Sequence, residues 1–191
     1  MSIILVLTGP SGVGKTSILE HVERKMSYRI RRGVSTTSRP PRVGEVEGID
    51  YFFVSQDEIE EEVAAGNALN FLRYAGNTYA YLRSTFEAIR EGGKDVVTIA
   101  TRSGVIDLQK EYGDDVFAIF IEPPSKDELY TRMLEGGRDP DVIKDRMAIA
   151  EEELAQDRDL FDLVLVNDNL DAAVNEVLDF YFSVIDSNDG R

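Results

Sequence analysis

The chain has 191 residues, enough for one α/β domain with a sizeable core and a small inserted subdomain. Thirty-six acidic against 21 basic residues give a net charge of −15, a field that repels polynucleotides and argues against a role in binding DNA or RNA. There is no cysteine, so disulfides and thiolate metal sites are excluded, and no apolar run approaches membrane-spanning length.

In chain order, the apolar run Ile3-Ile4-Leu5-Val6-Leu7 predicts a strand over 3–8. Residues 1–8 lack the basic flank and cleavage site of a signal peptide, so a cytoplasmic location is expected. Gly9, Pro10, Ser11, Gly12, Val13, Gly14, Lys15 and Thr16 follow, and a helix is predicted over about 15–26. Strand, G-x-x-x-x-G-K-[ST] turn and helix together form the context of a phosphate-binding loop. The glycines let the backbone curl so that successive N–H groups point inward, and the helix N-terminus adds its dipole. Lys15 would reach the β/γ-phosphates of a nucleoside triphosphate, and the Thr16 hydroxyl would sit on Mg²⁺.

Residues 27–54 are polar and punctuated by Pro and Gly, with a β-like run at Tyr51-Phe52-Phe53-Val54. Within them, Arg39 and Arg42 flank Pro40 and Pro41, which restrict the backbone and suit the two guanidinium groups to gripping a phosphate. Tyr51 and Tyr79 offer hydroxyl donors to the same phosphate. A helix is expected over 56–65, short aromatic-rich strands over 69–82, and a helix over 83–91. Val96 to Ala100 and Val116 to Ile121 read as buried parallel strands. Helices follow over about 125–135 and 141–157, then a strand at Leu163 to Val166 and a helix from Asp171 to Ile185, with a frayed tail over 186–191. His21 reads as a surface residue, and Glu60 to Glu62 and Glu151 to Glu153 as solvated helix faces. Alternating strands and helices predict a doubly wound parallel sheet, and the stretch 34–82 interrupts that rhythm as a small β-rich insertion.

Ser35 to Val54 resembles the guanylate kinase signature S-x-T-T-R-x-P-R-x-G-E-x-x-G-x-D-Y-x-F-V, with Ser38 at the second Thr. Gly76-Asn77-Thr78-Tyr79, Pro123-Pro124-Ser125 and Val166-Asn167-Asp168 resemble further motifs of that family, and the likeness covers about residues 3 to 182. It implies one α/β P-loop domain with its core over about 1–33 and 93–186, an acceptor-binding insertion over about 34–92, and a helical lid over about 132–142 made flexible by Gly136-Gly137. It also implies an ATP- and Mg²⁺-dependent kinase that acts on GMP or dGMP as a monomer or homodimer, with small nucleotides as partners and no membrane. Arg39, Arg42, Tyr51 and Tyr79 would then hold the acceptor phosphate. Arg132, Arg138 and Arg146 would close on the transferring group, and Asn167 would lie near the donor adenine.

The base-reading half departs from the pattern. The family carries a Glu nine residues before the second acceptor tyrosine, where this chain has Asn70. The family's D-x-D becomes Ile99-Ala100-Thr101, and Ala80-Tyr81 replace Gly and Ser or Thr. Ser35 remains of the expected base contacts, and Asn70 and Thr101 become the residues that would set acceptor preference. A carboxylate offers only acceptors to the guanine N1–H and N2–H, whereas an amide NH₂ would oppose a donor to a donor. These changes leave three alternatives open: a kinase of another purine monophosphate, a kinase of ribose 1,5-bisphosphate, or a non-catalytic guanylate kinase-like binding domain. The surface makes a separate prediction. Fifteen of the 21 basic residues are arginine, and acid-rich, lysine-poor surfaces suit strong salt. Dialysis into low salt is expected to diminish the far-ultraviolet circular dichroism of the folded protein; a signal indifferent to salt would contradict a salt-adapted surface.

Overall fold

The computed structural model describes residues 2–74, 76–137 and 139–189. A parallel sheet of five strands forms its centre, built from β1 (Ile4–Thr8), β2 (Ile30–Arg32), β7 (Asp95–Ile99), β8 (Val116–Glu122) and β9 (Leu163–Val166) in the order β2-β7-β1-β8-β9. All five residues of β1 are buried, because β1 lies in mid-sheet with helices over both faces. Its alternate side chains serve opposite layers. Leu5 and Leu7 pack with α1 (Lys15–Lys25), α5 (Lys126–Glu135), α6 (Pro140–Ala155) and α7 (Leu170–Asp189), whereas Ile4 and Val6 meet Phe86 of α3 (Arg83–Glu91) and Val105 and Leu108 of α4 (Arg102–Tyr112). This period-two division of one strand between two helical layers is the doubly wound arrangement expected from the alternating elements.

A second sheet has the order β4-β3-β6-β5, formed by β3 (Thr36–Thr37), β4 (Phe52–Phe53), β5 (Ala68–Tyr74) and β6 (Asn77–Leu82). The two long strands pair antiparallel, with Asn70 opposite Tyr81. Between β4 and β5 runs α2 (Gln56–Ala64), whose start is set by a capping box: Ser55 Oγ accepts from the Glu58 N–H while the Glu58 carboxylate accepts from the Ser55 N–H. Ser125 caps α5 and Asp139 caps α6 ahead of Pro140 at the first helical position.

Three expectations are corrected. Strand β2 falls in the segment read as polar loop, because Arg31 and Arg32 break its apolar pattern; Arg32 turns instead to Glu23 of α1, 3.3 Å away. The final helix does not end at Ile185, and the described chain continues as helix to Asp189. Glu153 does not share the solvated face of Glu151 and Glu152. It is half-buried, because it follows Ile143, Arg146 and Ala150 along the inward stripe of α6.

The end of α7 is tied to the sheet by a buried polar knot. Tyr181 is fully buried, and its hydroxyl donates to Asp95 Oδ2 at 2.6 Å. The same carboxylate accepts from the Ile3 N–H at 2.9 Å and faces the Arg29 guanidinium at 3.3 Å. Burial, and then the bond to Asp95, push the phenol well above its ordinary range, so Tyr181 stays neutral and remains a donor. Tyr181→Phe leaves Asp95 with its other two partners and is expected to cost about 1–2 kcal/mol in urea-induced unfolding; a loss within a few tenths of a kcal/mol would show the knot to be energetically idle.

Candidate active site

The loop between β1 and α1 is shaped by close contact with its surroundings. Gly9 has φ 132°, and a Cβ there would stand 2.3 Å from the Ile121 carbonyl oxygen of neighbouring β8. Gly14 has φ 101°, and a Cβ would meet the Asn167 amide nitrogen at 2.3 Å. Both positions therefore combine a left-handed backbone with a space only glycine fits. Asn167 is buried behind the loop, where its Nδ2 donates to the Val13 carbonyl at 2.8 Å and its own N–H donates to the Glu122 carbonyl at 2.8 Å. It joins the end of β9 to the loop, a supporting position that the motif reading did not anticipate. Helix α1 starts at Gly14 without a side-chain cap, so its first N–H groups face the loop without a side-chain acceptor.

Lys15 folds across the loop, and its Nζ donates to the carbonyls of Gly9 at 2.6 Å and Pro10 at 2.8 Å. Burial lowers its pKa from 10.5 to about 8, with the carboxylate of Glu153 acting in the opposite direction. Glu153 is in turn pushed up by burial, and Lys15 opposes that shift. The pair places a desolvated cation at the loop, a setting in which phosphate is a favourable counter-charge. Two arginines of α5 and α6 come close to this region, Arg146 at the loop itself and Arg132 at Asn167 behind it. Arg146 Nη1 donates to Ser11 Oγ at 2.8 Å, and Arg132 donates through Nη1 to the Asn167 carbonyl and through Nε to Glu128, both at 2.9 Å. Helix α5 ends at Glu135 and α6 begins at Pro140; Arg138, between them in sequence, lies outside the described residues.

The acceptor signature forms a second cationic cluster. Glu45 grips Arg39 with both oxygens, at 2.8 and 2.9 Å, and also accepts from the Arg42 N–H at 2.7 Å. These bonds hold the Glu45 carboxyl down to about 2 and raise Arg39 further above its already high pKa. The Arg39 guanidinium lies over the rings of Tyr51 at 5.1 Å and Phe53 at 5.8 Å, and the Tyr51 and Tyr79 rings are 6.0 Å apart. Arg39, Tyr51 and Tyr79 are thus brought together, while Arg42 keeps an exposed side chain and joins the group through its backbone. The organising role of Glu45 was missed in the sequence reading. Its signal lies in the signature itself, where an acid follows the arginines at a distance a loop can close.

Between the clusters lies a cleft of about 280 Å³ lined by Thr16, Ser35, Asp50, Tyr51, Tyr81 and Ile99. Among the described residues the Thr16 hydroxyl has no hydrogen-bond partner, and it opens onto this cleft, a fit for one ligand of a hard cation that keeps its waters. No cluster of three or more acidic or histidine side chains suited to a metal occurs among the described residues, so phosphate and water would complete such a shell. A larger hollow of about 960 Å³ lies by the start of β8, away from the loop, with Asp114, Asp115 and Asp162 in its wall; that acidity is unsuited to phosphate.

Neither of the two base-reading candidates, Asn70 and Thr101, is among the residues that line this cleft. Thr101 caps α4, its hydroxyl accepting from the Gly104 N–H at 3.3 Å. The Asn70 amide donates to Asp107 of α4 at 3.2 Å. Tyr81 stands in the cleft, with its ring against Phe86 at 5.5 Å and its hydroxyl donating to the Ile99 carbonyl. Burial raises its pKa, so the phenol stays neutral.

Comparisons with known proteins agree with this arrangement. A family model described as guanylate kinase matches residues 1–183. The chain is 34% identical to a guanylate kinase of Bacillus subtilis (strain 168) over 176 residues, which is 92% of this chain and 85% of that protein. It is 38% identical over 176 residues to a guanylate kinase of Wolbachia sp. subsp. Brugia malayi (strain TRS), covering 92% and 89% of the two chains. The crystal structure of guanylate kinase from Anaplasma phagocytophilum superposes with a TM-score of 0.72 at 27% identity, covering 95% of this chain and 85% of that one.

The desolvated Lys15 gives a pH signature. In the unfolded chain lysine keeps its proton up to about 10.5, whereas in the fold it loses it near 8. The unfolded state then binds more protons across that window, so stability gains as pH rises through it. Lys15→Met is expected to raise the thermal midpoint of the nucleotide-free protein at pH 7, with the advantage shrinking between pH 8 and 10.5; an advantage constant with pH would show that Lys15 carries no desolvation cost.

Proposed function

This chain belongs to the guanylate kinase family, and from that membership we infer that it transfers the γ-phosphoryl group of ATP to GMP or dGMP, giving ADP and the nucleoside diphosphate. The observation that carries this reading is that one cleft is lined both by Thr16, which follows Lys15 at the end of the loop, and by Tyr51, whose ring packs with Arg39 and Tyr79. Phosphoryl transfer asks little covalent chemistry of a protein; it asks for in-line placement and for positive charge on the developing oxyanions.

On this reading residues 9–16 and the N-terminus of α1 cradle the donor phosphates, and Lys15 leaves its carbonyl partners to meet the β/γ-phosphates. Arg39 and Arg42, with the hydroxyls of Tyr51 and Tyr79, hold the acceptor phosphate, and Ser35 faces the acceptor from the cleft wall. Arg132 and Arg146, with Arg138 of the intervening corner, close on the group in transfer. The second sheet serves as the acceptor lobe and the α5–α6 corner as the lid, whose closure would exclude water that could otherwise take the phosphoryl group. Mg²⁺, held by the Thr16 hydroxyl, phosphate oxygens and water, would supply Lewis-acid neutralisation of phosphate charge. Asn167 keeps the loop in shape from behind. Among the described residues no helix is long and apolar enough to cross a membrane. A complete P-loop with a desolvated lysine favours catalysis over a binding-only role.

An ADP-release assay with ATP–Mg²⁺ and a panel of GMP, dGMP, AMP, dAMP, UMP and ribose 1,5-bisphosphate tests the assignment. Turnover with GMP or dGMP well above the others is expected, and turnover confined to another acceptor would overturn it. Arg39→Ala removes a charge-assisted contact worth about 1.5–3 kcal/mol. It is therefore expected to lower kcat/KM for GMP by roughly 10- to 150-fold while leaving the KM for ATP within about twofold; equal effects on both substrates would refute an acceptor-side role.

A further inference from the structure

The Watson–Crick edge of guanine presents two adjacent donors, N1–H and N2–H, and a protein that selects it must place acceptors opposite them. Asn70 alone serves this poorly, and the end of β7 carries no carboxylate. The structure brings one from elsewhere. Asn70 on β5 pairs in register with Tyr81 on β6, and Tyr81 lines the cleft, so Asn70 sits one strand beyond a lining residue. Helix α4 packs on β5, and less than two turns beyond its cap it delivers Asp107, whose Oδ2 accepts from Asn70 Nδ2 at 3.2 Å.

A carboxylate can only accept, so this contact fixes the amide's orientation: its nitrogen faces Asp107 and its oxygen is left as an acceptor. The amide lies close over the backbone of α4 at Gly104, where an added Cβ would stand 3.3 Å from Asn70 Oδ1. Asp107 itself is not used up. Its side chain is 39% exposed, its Oδ1 lies 3.7 Å from a Lys110 that is 73% exposed, and each carboxylate oxygen can accept more than one hydrogen bond.

We propose that Asp107, carried by α4, is the carboxylate that accepts from the guanine 2-amino group of the acceptor, with the Asn70 amide oxygen, held by it, as the acceptor for N1–H. This rests on the reading of the acceptor as GMP or dGMP. The anion normally expected on β5 is then divided between two elements: an amide oxygen from the acceptor lobe and a carboxylate from the core. A different role, a strut joining α4 to β5, would use the same hydrogen bond without regard to the base, so the test must read base preference and not activity alone.

The measurement is initial rates with GMP and with IMP, which lacks the 2-amino group, for the parent protein, Asp107→Ala, and the exchange Asn70→Glu with Asp107→Asn, each checked for folding by circular dichroism. The parent should prefer GMP. Asp107→Ala should lose about tenfold or more in kcat/KM for GMP and little for IMP, with the KM for ATP unchanged, so that the preference falls about tenfold. The exchange restores one carboxylate and one amide and should recover the preference. Parallel losses with both acceptors, or a GMP preference that survives in Asp107→Ala, would overturn the proposal and leave the functional reading in place; a parent that turns over no GMP would overturn both.

Discussion

Everything at this site depends on the tight curl of residues 9–14 between the end of β1 and the start of α1. A strand can deliver a loop to that position only if its last residues are packed on both faces, and β1 is buried along its whole length. The curl is then pressed against Ile121 in front and Asn167 behind, so that any side chain at Gly9 or Gly14 would collide. The buried amide of Asn167 also satisfies a loop carbonyl that would otherwise face the interior unpaired. Rigidity at the loop is thus supplied by the sheet, and the charge held there, Lys15, is hydrogen-bonded only to two loop carbonyls among the described residues.

A net charge of −15 sets the wider electrostatic problem, because both expected substrates are anions. The protein answers it locally. Arg39 is fixed by a bidentate carboxylate and stacked on two aromatic rings, so little conformational freedom remains to be lost when a phosphate arrives. Arg146 and Arg132 are drawn toward the loop by Ser11 and by the Asn167 carbonyl, with Glu128 spacing the second of them. Individual carboxylates, Glu45 and Glu128, therefore orient single cations in a protein whose net charge is strongly negative. Lys15 and Glu153 show the cost of the arrangement, since burial works against the charged form of each.

Much of this was legible from residue types. An apolar run, glycines at fixed spacing and Lys-Thr pointed to the strand, loop and helix, since each is dictated by local chemistry. That Arg39, Tyr51 and Tyr79 would gather into one cluster was expected from the motifs that carry them. What stayed hidden depends on contacts across the fold. Strand β2 is concealed because Arg31 and Arg32 mask its period, and the partners of Arg32 lie on another element. Glu153 read as one of three solvated glutamates until the inward stripe of α6 carried it to Lys15. Thr101 looked like a base contact by its place in a motif and serves as a helix cap, a role set by the backbone that follows it. Asn70 looked like a lone amide, and its partner Asp107 lies 37 residues away on α4, where no spacing rule could have joined them.

The central claim is that the Lys15 loop and the Arg39 cluster bound one cleft that holds donor and acceptor in line. Affinity for an adenosine–guanosine pentaphosphate, which spans both sites in one molecule, tests it most directly. Calorimetric titration with Mg²⁺ should give a Kd lower than that of ATP or GMP alone by about a hundredfold or more, because the second half binds without a second loss of translational freedom. A Kd no better than that of ATP would mean that the two clusters do not serve a single transfer site.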